Sequence, residues 1–131
     1  MNLDLPRPIE RLRVERPGVQ VEVEKFRLPK APDVPVEHFT ATSRTQPLIP
    51  GRTLVVQDSF MMKSAQAFAA HAEDVYFMHW SVLRRNPEAA VEFFATADRV
   101  VLQSVEDRRG IVFGPRGRRA LKTLQARLGK D

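Results

Sequence analysis

Asp58 and Ser59 stand where a run of apolar β-formers, Thr53-Leu54-Val55-Val56-Gln57, gives way to helical spacing. A serine at such a strand-to-helix turn has a fixed backbone, and the amides that open the helix can hold an oxyanion. The pair therefore points to acyl transfer, with Ser59 as nucleophile and Asp58 shaping the turn. A serine hydroxyl is a poor nucleophile until a base takes its proton and a carboxylate orients that base. Asp and Ser also cap helices, and that ordinary structural role competes with the catalytic one.

The base would be one of three histidines. His79 closes the run Val75 to His79 (VYFMH) and lies at the same carboxyl edge of a sheet as Ser59, which makes it the candidate. Whether it reaches the hydroxyl depends on a side-chain parity that the strand register sets. His71 is placed about three helical turns beyond Ser59, out of reach. His38, in Val36-Glu37-His38-Phe39, lies upstream with no aspartate two residues before it. Trp80 and Ser81 either line a cleft or pack, and Glu106, closing a later strand, either orients a histidine or makes a salt bridge. Absence of cysteine excludes disulfides, thiolate zinc sites and a cysteine nucleophile. The scattered histidines form no ligand cluster and there is no Gly-rich phosphate loop, so neither a metal nor a cofactor is expected.

The elements that must position these groups alternate. A strand over Thr53–Gln57 is followed by a helix with Met61, Ala65, Phe68 and Ala72 on one face. Val75–His79 forms a second strand. Asn86-Pro87 opens a second helix with Ala90, Phe93, Phe94 and Ala97 inward, since Asn caps amides and Pro suits the first helical position. Arg99–Val105 (RVVLQSV) is a third strand, Gly114-Pro115 a turn, and a last helix carries Leu121, Leu124 and Leu128 on one side. Alternation of this kind predicts an α/β fold: a small, mainly parallel three-layer sandwich with right-handed crossovers. Seven of ten prolines fall in the first 47 residues, which predicts an extended, irregular N-terminal region. Within it Val19, Val21 and Val23 alternate with polar residues, the period of an edge strand. The expected division is residues 1–45 as an extended segment packing on the domain edge and 46–131 as the α/β domain.

A chain of 131 residues with 43% hydrophobic content suits one domain. Its net charge is +5, but from Arg108 onward eight basic residues face one acid, which leaves the first 107 residues at −2. The basic character belongs to the tail. That tail is either a polyanion-binding surface or the solvated side of a docked helix, and nucleic acid is not the expected partner. The N-terminus shows no signal-peptide h-region and no stretch reaches the roughly 20 apolar residues of a membrane span, so a soluble, unexported chain is expected.

The string LVVQDSFMMKSAQAFAAHAEDVYFMHWSVL followed by ADRVVLQSVEDR resembles the SGNH-hydrolase-like domain of the alginate O-acetyltransferase (AlgX/AlgJ) family, over about residues 39–110. The resemblance implies that Ser59 accepts an acyl group, usually acetyl, from a donor protein and passes it to a hydroxyl of a polysaccharide. It also implies a periplasmic or cell-envelope setting. Two departures stand out. Val105-Glu106-Asp107-Arg108 carries one inserted acid, and the family's upstream Asp-x-His motif is absent. Three explanations follow from that absence: a C-terminal fragment of a longer enzyme, a partner chain that supplies Asp and His, or a degenerate relative that keeps the fold as an interaction module.

Overall fold

The computed structural model describes residues 10–11, 16–59, 61–104 and 115–129. Strands β1 (Val19–Leu28) and β2 (Ala31–Ser43) form a long hairpin, and β3 (Ile49–Gln57) enters the middle of the sheet. A 3₁₀ turn at Met61–Ser64 runs into helix α1 (Ala65–Ala69), which leads to β4 (Ala72–His79). Helices α2 (Trp80–Arg85) and α3 (Pro87–Thr96), strand β5 (Arg99–Leu102) and helix α4 (Pro115–Leu128) complete the described elements. The result is an α/β protein with a five-stranded mixed sheet in the order β1-β2-β4-β3-β5, open at both sides. The two residues Glu10–Arg11 add an antiparallel rung outside β1.

β3 runs parallel to both β4 and β5, whereas β2 pairs antiparallel with β4 and with β1. The central strand β3 thus comes first in the chain, and its successors lie on opposite sides of it. Right-handed crossovers to opposite sides must pass over opposite faces. Helix α1 accordingly covers one face, where Ala65 and Ala69 meet Val55, Val75, Phe77, Phe39 and the valines of β1. The other face packs Leu54, Val56 and Met78 against Trp80, Val82 and Leu83 of α2, Ala90 of α3, and Ala120 and Leu124 of α4. This makes a small three-layer arrangement, but the sheet is mixed where a mainly parallel one was expected.

The difference lies in the proline-rich region. Val19, Val21 and Val23 are buried on one face as the alternation requires. Residues 31–43 extend the hairpin through Pro32 and Pro35, which the proline content had assigned to irregular chain. Proline breaks a ladder only where its missing N–H is needed. Residues 32–35 lie where the β1–β2 register shifts and beyond the β2–β4 pairing, which spans only Glu37 to Thr40.

Three shorter corrections follow. Ala72 opens β4 instead of continuing a helix, and His71 lies in the turn before it. The single turn of helix α2 was not anticipated, because Trp80–Arg85 is too short to show a period. The third strand stops at Leu102, and Val105, Glu106 and the Gly114 turn lie outside the described residues. Asn86 caps α3 as expected, its side-chain oxygen accepting the Ala89 amide at 3.1 Å.

Phe77 is a fully buried side chain that meets Phe39 and Phe68 edge-on. Phe77→Ala is expected to cost about 3–5 kcal/mol through lost contacts and a cavity. By contrast, Val101→Thr on the exposed strand β5 should change stability by no more than about 0.5 kcal/mol. Urea unfolding midpoints of the two variants check both values.

Candidate functional site

The carboxyl ends of β3, β4 and β5 lie side by side, and β3 is the point at which the chain's crossovers diverge. In open α/β sheets that switch point leaves a crevice suited to a ligand. Ser59, His79, Ser81, Gln57 and Gln103 converge there.

The register supplies the parity that the sequence left open. Gln57 and His79 are paired across the parallel β3–β4 ladder, which places Ser59, two residues past Gln57, over the end of the neighbouring strand. The Ser59 Oγ and His79 Nε2 are 3.1 Å apart, hydrogen-bond reach for a nucleophile and a base. Ser59 is exposed and His79 half-buried. Asp58 shapes the turn through its backbone, its amide donating to the Gln103 side-chain oxygen at 3.0 Å.

Gln103 clamps the edge in three directions. Besides that bond, its own amide donates to the Val56 carbonyl at 2.8 Å, and its carbonyl accepts the Trp80 indole N–H at 2.8 Å. Trp80 is therefore a buried core residue, not the lining of a sugar cleft. Gln103 did not stand out in the sequence, being a polar residue just past a strand end, a pattern shared by many loops; Ser81, read there as lining a cleft or packing, is hydrogen-bonded to His79.

The second ring nitrogen of His79 decides its protonation. The Ser81 amide donates to His79 Nδ1 at 3.0 Å, which makes His79 the N-cap of α2, and the Ser81 hydroxyl lies 2.8 Å from the same nitrogen. A nitrogen that accepts a backbone N–H carries no proton of its own, so in the neutral ring the proton sits on Nε2. The resting His79 thus donates to Ser59. To act as a base it must move that proton to Nδ1, where the Ser81 hydroxyl is in place to accept it, and release the Ser81 amide. A proton on Nδ1, which a base acting through Nε2 would need, and the helix cap compete for one lone pair.

Burial pushes the His79 pKa below the ordinary 6.5 and the Arg84 guanidinium adds to that, while Asp58 partly offsets it. His79 is therefore neutral near pH 7.

The other histidines lie elsewhere. His38 Nε2 sits 2.8 Å from Asp74 Oδ1, whose other oxygen accepts from Arg52 Nε at 3.3 Å. The His38 ring stacks on Tyr76, centroids 4.0 Å apart, and Arg52 lies over the same ring. This is a histidine–aspartate pair, but it occupies the opposite end of β4. Five residues of strand separate Asp74 from His79, roughly 16 Å at about 3.3 Å each. It cannot serve Ser59.

His71 makes a backbone turn, its amide donating to the Phe68 carbonyl at 2.9 Å. Glu106 and Phe60 lie outside the described residues. Among the described residues no group of three or more His, Cys, Asp or Glu is placed to hold a metal ion, and no helix is long and apolar enough to cross a membrane. Compared with family models, with curated proteins and with solved structures, the chain matches none.

The depressed His79 pKa has a consequence for stability. Unfolded His79 takes up a proton near pH 6.5 and the folded residue resists it, so the unfolded state binds more protons and stability falls as pH drops through 6.5. Protonation also removes the Nδ1 lone pair that caps α2. His79→Asn keeps a capping oxygen without the titration. Between pH 7.5 and pH 5 the wild-type unfolding midpoint should therefore drop further than that of His79→Asn, a difference measurable by urea denaturation at the two pH values.

Proposed function

We propose that this chain is the serine-bearing part of an SGNH-like acyl-transfer domain of the polysaccharide O-acetyltransferase or acylesterase type. In this reading Ser59 is the nucleophile and His79 its proton acceptor. The observation that carries the reading is the 3.1 Å contact between Ser59 Oγ and His79 Nε2 at the switch point of the sheet.

In the forward step the Ser59 oxygen attacks an acyl carbonyl, His79 Nε2 takes the hydroxyl proton, and the leaving group departs with a proton returned from His79. In the second step a sugar hydroxyl or water attacks the acyl-serine, His79 again removing the proton from the attacking oxygen, and Ser59 is regenerated. Among the described residues no carboxylate is hydrogen-bonded to His79 Nδ1. The Ser81 hydroxyl occupies that place, and a hydroxyl stabilises an imidazolium far less than a carboxylate does. Activity of the chain alone is accordingly weak, and full activity requires Asp and His from an upstream segment or a partner chain.

A second reading has its own support. The Ser81 amide on Nδ1 favours the tautomer that donates to Ser59, the arrangement expected of a structural cap in a non-catalytic or polyanion-binding module that keeps the fold.

Intact mass after treatment with a serine-directed fluorophosphonate separates the two. The acyl-transfer reading expects one adduct, absent in Ser59→Ala and formed about 10²–10⁴-fold more slowly in His79→Gln, the range a positioned base contributes. Absence of any adduct on folded wild-type protein overturns self-sufficient catalysis and leaves the module reading.

A further inference from the structure

We propose that the cleft between α2 and α4 is a binding site for a dianionic oxyanion, a phosphate group carried by a small molecule. The cleft has a volume of about 430 Å³ and is lined by Ser81, Arg84, Arg85, Pro87, Arg119 and Thr123, with Ala120 at its base. Its size falls within the range of small-molecule sites, about 300–1,000 Å³.

Charge bookkeeping selects the ligand. Three guanidiniums face one cleft and no carboxylate lines it. Arg85 is neutralised by Asp33, to which it donates through both terminal nitrogens. Glu88, next to Pro87, pairs with Arg127 further along α4. Among the described residues Arg84 and Arg119 have no carboxylate partner, so the cleft holds an uncompensated charge of two. Arg84 adds an independent sign: its Nε is buried and has no hydrogen-bond acceptor. A buried donor without an acceptor is costly, and guanidinium forks match phosphate oxygens in a bidentate geometry. Thr123 does not compete as a donor, because its hydroxyl already donates to the Arg119 carbonyl at 3.1 Å. The Ser81 hydroxyl stands at the junction of this cleft with His79. A ligand held by Arg84 and Arg119 would lie beside the Ser59–His79 pair without involving Ser59.

The site is independent of whether Ser59 reacts. It gives the polyanion-binding reading a defined place on the helical layer, distinct from attraction to the basic tail as a whole. The test titrates the full chain with inorganic phosphate, and in parallel with phenyl phosphate, by calorimetry at constant low ionic strength. Saturable one-site binding is expected, weakened about tenfold or more in Arg119→Gln and in Arg84→Gln, and unchanged in Lys122→Gln, an exposed cation on the same helix. Arg119 is exposed, so its replacement reads the site even where Arg84→Gln disturbs packing. No saturable binding, or an equal loss in Lys122→Gln and Arg119→Gln, overturns the site and leaves only diffuse attraction to a basic surface. Phosphate binding that survives while Ser59 proves unreactive to fluorophosphonate would retain the cleft and discard the acyl-transfer reading.

Discussion

The parallel register that sets Gln57 beside His79 is the constraint on which the rest of the structure depends. It brings the ends of two strands level, and the turn after β3 sets Ser59 over the end of β4. A shift of one residue would reverse the facing of every side chain in β4, moving Val75 and Phe77 out of the core under α1 and sending Tyr76 and Met78 into it, so that neither face would pack. The hydrophobic cores on the two faces of the sheet therefore hold the polar edge in place, and Gln103 locks it by tying β3, β5 and α2 together.

That edge couples stability to chemistry through a single lone pair. His79 Nδ1 ends a strand and caps a helix, and its occupation determines which way the hydrogen bond to Ser59 runs. The capping bond favours a neutral ring with the proton on Nε2. The proposed acyl transfer would need the other tautomer, and an activated Ser59 would then require that the Ser81 amide be displaced from Nδ1. Near-neutral pH and half-burial keep the ring uncharged, which suits a base, while the cap restrains it. Under the proposed function the helix cap and the base would therefore oppose one another at Ser81.

At the far end of β4 the same fold builds a different device. His38, Asp74, Arg52 and Tyr76 form a polar and aromatic network against α3, where Tyr76 meets Phe26 and Phe93 edge-on. Here Asp74 satisfies two cationic or donor groups at once, and the stacked rings shield them from water. The network joins the hairpin strand β2 to the parallel strands and to the helical layer. Its role is to hold those layers together, which accounts for a histidine–aspartate pair distant from any nucleophile.

Much of this was written in the chain. The alternation of strand and helix, the valines of β1, the Asn86 cap and the placement of Ser59 and His79 at one edge follow from local rules: side-chain period, capping chemistry and the topology of crossovers. The hairpin through Pro32 and Pro35, the ending of α1 before Ala72 and the single turn of α2 did not, because each depends on which ladder bonds a neighbouring strand leaves unmade or on a helix too short to show a period. The contact between Ser59 and His79 belongs to tertiary structure alone. Two residues twenty positions apart meet only once the β3–β4 register is fixed, and that register is set by packing on both faces of the sheet. The same holds for the cleft of Arg84, Arg85 and Arg119, whose charges are remote in sequence from one another's partners and become a site only when α4 docks on α2.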